Sequence, residues 1–105
     1  MAIKELLKEE LGNSLRMERD YRHALGKLPR GCLVKKIIRG RAYYYLAYRE
    51  KSRVRFIYKG SKMEEREIAK YRDAKRFRAQ YRKLLSDVHK QIIFLRKTLR
   101  AQQAV

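Results

Sequence analysis

The chain has 105 residues, 45% of them apolar, which excludes wholesale disorder and leaves room for one modest core. Its 29 basic and 11 acidic residues give a formal net charge of +18, an imbalance that opposes compaction and points to a polyanionic partner, nucleic acid ahead of an anionic membrane surface. A single cysteine, Cys32, excludes an internal disulfide and a thiolate-rich metal site.

Residues 1–28 read as an N-terminal helix. Ile3, Leu7, Leu11 and Leu15, with Leu6, Tyr21 and Leu25, set an apolar stripe from about Ile3 to Leu25. Gly12-Asn13-Ser14 weakens its middle, so a kink or a break is expected there. The opening "MAIKELLKEELGNSL" lacks the apolar run of a signal peptide, and no stretch approaches the roughly 18 apolar residues of a membrane span. The expectation is a soluble, cytoplasmic protein with no membrane partner, nucleoid-associated if it binds DNA.

Residues 29–61 read as a basic, aromatic sheet. Pro29 and Gly31 end the first helix, and "CLVKKII", "AYYYLAY" and "RVRFIYK" are rich in β-branched and aromatic residues, the last alternating with period two. Arg39-Gly40-Arg41 predicts a tight connection and Glu50-Lys51-Ser52 a slightly longer one, giving a three-stranded antiparallel β-meander. Charge concentrates in this part: residues 1–26 are neutral, 27–62 carry +11 and 63–105 carry +7. The alternation assigns Tyr44, Leu46, Val54, Phe56 and Tyr58 to the core face and turns Tyr43, Tyr45, Arg53, Arg55 and Lys59 outward. The opposite phase of the second strand fits nearly as well, because aromatics sit on both of its faces.

Residues 62–105 contain neither Gly nor Pro and read as one long helix, with Ser61 as N-cap and Glu64 completing a capping box. Tyr81, Leu85, Val88, Ile92, Leu95 and Leu99 recur at spacings of four and three, a seam of coiled-coil type. Such a helix folds back on the first one or pairs with a second copy, so these six residues are the candidates for self-association. The fold expected is one α+β domain of order α-β-β-β-α, with helices on one face of the sheet.

No phosphate-cradling glycine motif, metal-ligand cluster or nucleophile with a neighbouring base is present, so no catalytic residue, metal or cofactor is expected. His23 and His89 lack ligand spacing, and Ser14, Ser52, Ser61 and Ser86 suit caps or turns. The residues expected to meet nucleic acid are Lys35, Arg39, Arg41, Tyr43, Tyr45, Lys51, Arg53, Arg55 and Lys59, with supporting phosphate contacts from Lys75, Arg78 and Arg82 on the long helix. A basic sheet face can enter the major groove, and exposed aromatics can stack on unpaired bases. Double-stranded DNA is placed slightly ahead of RNA. The alternatives are a helical protein-interaction or oligomerisation module and an RNA- or ribosome-associated basic factor.

The run "LPRGCLVKKIIRGRAYYYLAYREKSRVRFIYKG", followed by an acidic helix start and a basic helix, resembles a family of small uncharacterised prokaryotic proteins. These share a basic-Gly-hydrophobic segment, "YYYL", an arginine, a turn and "YxG". The likeness covers most of the chain and implies organisation, not activity; where that pattern has glycine at the second turn, this chain has "EKS". More loosely, the meander is similar to the three-stranded-sheet modules of mobile-element integrases and to the leading segments of some transposases. In the integrase arm-binding modules the sheet face reads DNA. The resemblance therefore implies Tyr43, Tyr45, Arg53 and Arg55 as sheet-face contacts, and Arg39, Arg41 and Lys51 as turn contacts. It carries no recombinase catalytic segment and implies at most an accessory binding module.

Overall fold

The computed structural model describes residues 2–103; Met1 and residues 104–105, the ends of the expected first and last segments, lie outside the described residues. The element order is α1 (Ile3–Lys27), β1 (Cys32–Ile38), β2 (Arg41–Glu50), β3 (Arg53–Gly60) and α2 (Glu65–Gln103), the expected α+β arrangement. The chain divides into two compact units. The chain up to Lys27 joins the chain from Ala79 onward, and Leu28–Arg78 forms the other unit.

In the first unit α1 runs through Gly12-Asn13-Ser14 without the expected break. The Ala2 carbonyl opens the helix by accepting from the amides of Glu5 (3.1 Å) and Leu6 (3.2 Å). A mid-helix glycine costs about 1 kcal/mol relative to alanine, and tertiary burial offsets it: Ser14, two residues on, is only 1% exposed. The second part of α2 runs antiparallel to α1. The rings of Tyr21 and Tyr81 lie 6.1 Å apart, and Glu18 Oε2 is 2.7 Å from His89 Nε2. Arg22 Nη2 approaches the same imidazole nitrogen at 3.2 Å. Val88, Ile92, Leu95 and Leu99 are 2–8% exposed within the single chain, and Tyr81 and Leu85 are half-buried. Of the two arrangements expected for the seam, folding back on the first helix is the one seen within the chain: its residues form the internal face of this helix pair. Each buried aliphatic side chain contributes on the order of 1.5–3 kcal/mol, which makes the seam the main core of this unit.

In the second unit the three strands form an antiparallel sheet in the order β1-β2-β3. Both hairpins close through two residues. Ile38 pairs with Arg41 across Arg39-Gly40, and Glu50 pairs with Arg53 across Lys51-Ser52. All four turn residues have positive φ (53°, 79°, 47° and 68°), the type I′ geometry whose twist matches the flanking strands. The second connection is thus as short as the first. That single residue decides which side chains share a face.

Gly31 turns the chain into β1 at φ 94°, and a Cβ there would lie 2.7 Å from the Ala47 carbonyl oxygen, so no other residue fits without movement. Beside it, Arg30 donates to the Arg49 carbonyl (2.6 Å), and Arg78 of α2 donates to the Pro29 carbonyl (2.7 Å). The first part of α2 faces one side of the sheet, where Ile68, Tyr71, Arg72 and Lys75 line a cleft together with Leu33, Lys35 and Tyr44. Leu46, on that face, is buried. Helix α2 begins later than the expected Ser61 cap: the Glu64 carbonyl accepts from the amides of Glu67 (3.0 Å) and Ile68 (3.1 Å).

Candidate nucleic-acid interface

The register assigns each strand residue to a face. Val34 opposes Tyr45, which opposes Tyr58; Lys36 opposes Tyr43; Ala47 opposes Phe56; Arg49 opposes Val54. Directly paired residues point the same way, so these side chains, with Ile38 and Arg41, form one face. Leu33, Lys35, Tyr44, Leu46, Tyr48, Arg53, Arg55 and Ile57 form the other, toward α2.

This grouping corrects the expected one. Phe56, Tyr58 and Val54, assigned to the core, are 54–56% exposed and sit with Tyr43 and Tyr45 on the face away from α2. Arg53 and Arg55, expected beside those tyrosines, lie on the opposite face, where Arg55 Nε meets Glu50 Oε2 at 3.2 Å. Lys59 falls at the irregularity between Tyr44 and Tyr45, where Gly60 takes φ 117°. The extra residue there is left out of the ladder, so Lys59 belongs to neither face by alternation.

The open face has a defined geometry. Tyr58 lies 5.3 Å from Tyr45 and 6.4 Å from Tyr43 between ring centroids, in tilted arrangements. The Lys36 ammonium sits 5.1 Å from the Tyr45 ring centre and 5.6 Å from that of Phe56. Cross-strand aromatic pairs and exposed cation–π contacts of this kind each favour the arrangement by roughly 0.2–1 kcal/mol. Arg41 and Arg49 are exposed on the same face, and its strand positions carry no Asp or Glu. Arg39 and Lys51 project from the two turns, and both are exposed.

The remaining expected contacts are scattered. Lys35 and Lys75 line a cleft between the sheet and α2, and Arg78 is half-buried on the Pro29 carbonyl. Arg82 is exposed on the part of α2 that belongs to the other unit. The open face thus unites Tyr43, Tyr45 and Arg41 with Lys36, Arg49, Phe56 and Tyr58, four residues that the sequence reading did not assign to the site. Two-residue turns were the signal that would have found them. If Lys51-Ser52 alone closes the second hairpin, Tyr45 must oppose Tyr58.

Among the described residues, no group of three or more His, Cys, Asp or Glu is arranged to hold a metal ion, and no helix is long and apolar enough to cross a membrane. No family model matches this chain, and comparison with curated proteins and with solved structures gives no significant match.

Proposed function

We propose that the protein is a non-catalytic nucleic-acid-binding protein that uses the open face of its sheet, with unpaired bases stacking on Tyr43, Tyr45, Phe56 and Tyr58 and phosphates meeting Lys36, Arg41 and Arg49. The observation that carries this reading is the exposure of Phe56 and Tyr58, at 56% and 54%, on a face that also presents three cations. Leaving rings half in water forgoes burial that would have stabilised a small sheet. Stacking a base on an aromatic ring is worth about 1–3 kcal/mol and tolerates any sequence, which suits such a platform. Lys36, lying against two of the rings, brings a phosphate contact next to a stacked base.

Duplex DNA is the second reading. Arg39 and Lys51 at the turns flank the sheet with exposed positive charge, as a sheet entering a groove would require. The displacement of Arg53 and Arg55 to the other face removes two groove-facing arginines and favours the stacking mode.

Charge reversal separates the two faces. Lys36→Glu with Arg41→Glu is expected to weaken binding of a labelled oligonucleotide at least tenfold, whereas Arg53→Glu with Arg55→Glu weakens it severalfold at most. Equal losses from the two pairs would mean that total charge alone drives binding, and would sink the open-face assignment.

A further inference from the structure

The face of the sheet turned toward α2 carries a second feature, unrelated to the aromatic platform. Between β1, β2 and the first part of α2 lies a cleft of about 390 Å³, lined by Cys32, Leu33, Lys35, Tyr44, Ile68, Tyr71, Arg72 and Lys75. Its volume falls within the range of about 300–1,000 Å³ typical of small-molecule sites. Leu33 and Ile68 give it apolar walls, and Tyr44 and Tyr71 add two rings with phenolic hydroxyls. Lys35, Arg72 and Lys75 are all exposed at its rim, and no carboxylate is among its lining residues. The nearest acidic neighbour in sequence, Asp73, is shared between Arg76 (3.7 Å) and Arg72 (3.9 Å). A fourth cation, Lys70, lies against the Tyr71 ring at 5.8 Å.

Lys35 and Lys75, with Arg72 held only at 3.9 Å by Asp73 in a solvent-exposed pair, give the cleft a positive rim that an entering anion would neutralise. A guanidinium recognises two oxygens of a phosphate at once, and the lysines add point charges. An acyl chain would need an enclosed apolar tunnel, whereas this cleft carries polar groups from β1, β2 and α2. We propose that the cleft binds a small phosphorylated ligand with a planar ring, of the nucleoside monophosphate class. Its phosphate would meet Lys35, Arg72 and Lys75, and its ring would pack among Tyr44, Tyr71, Leu33 and Ile68.

This site stands apart from the open sheet face, and calorimetric titration of the full chain tests it separately. Adenosine monophosphate, adenosine, inorganic phosphate and laurate are the four probes. The nucleotide is expected to bind at least tenfold more tightly than adenosine or phosphate, with laurate weaker still. Arg72→Glu with Lys75→Glu should remove this binding, and the milder Lys75→Gln should weaken it severalfold. Tyr58→Ala with Lys36→Glu, on the open face, should leave it unchanged. Circular dichroism of each variant confirms that it is folded. Absence of nucleotide binding at millimolar concentration would overturn the proposal. So would phosphate binding as tightly as the nucleotide, laurate binding best, or full retention in folded Arg72→Glu/Lys75→Glu.

Discussion

Lys51 and Ser52 hold φ of 47° and 68° without being glycine, a conformation that costs an L-residue roughly 1–2 kcal/mol. Replacing Ser52 with Gly is therefore expected to stabilise the protein by about 0.5–1 kcal/mol, read as a higher denaturant midpoint with an unchanged slope. The opposite holds at Gly31. Gly31→Ala adds a Cβ 2.7 Å from the Ala47 carbonyl oxygen at φ 94°, and a loss of about 2 kcal/mol is expected in the same titration. These turn residues also explain what was hidden at this scale. A three-residue Glu50-Lys51-Ser52 loop would put Phe56 and Tyr58 with Leu46, whereas the two-residue turn puts them with Ala47 and Tyr45. Nothing in the composition of β2 could choose between them, because Tyr43, Tyr44, Tyr45 and Tyr48 supply aromatics to both of its faces.

Elements were legible where periodicity was strong. The three strands were marked by β-branched and aromatic runs, and the long helix by its unbroken seam. What that seam packs against was not legible, since spacings of four and three serve equally for a partner copy and for a helix in the same chain. In the fold it meets α1, so Leu95→Ala is expected to cost about 2–4 kcal/mol by leaving a cavity, with no change of mass in light scattering. A change of mass without loss of stability would contradict the internal assignment. On the sheet, removal of one stacking ring is the matching test. Tyr58→Ala should lower affinity for an unpaired oligonucleotide by about tenfold, the equivalent of roughly 1.4 kcal/mol, and should change its salt dependence little.

For the whole molecule, charge was readable from the outset and its placement only from the fold. Leu28–Arg78 carries twelve of the eighteen net positive charges, so the unit that holds the aromatic platform is also the more electropositive of the two. Phosphate binding by such a surface releases counterions. With about four to six phosphates engaged on an unpaired strand, log affinity should fall against log salt with a slope of about −3 to −4. The most direct measurement of the central claim is fluorescence anisotropy of the full chain with one labelled oligonucleotide, unpaired and as its duplex, between about 50 and 300 mM salt. The proposed stacking mode predicts tighter binding of the unpaired strand throughout, with the preference retained at high salt and lost in Phe56→Ala/Tyr58→Ala. Equal affinities that vanish together by about 150 mM salt, unaffected by loss of the rings, would contradict it and leave only general charge attraction.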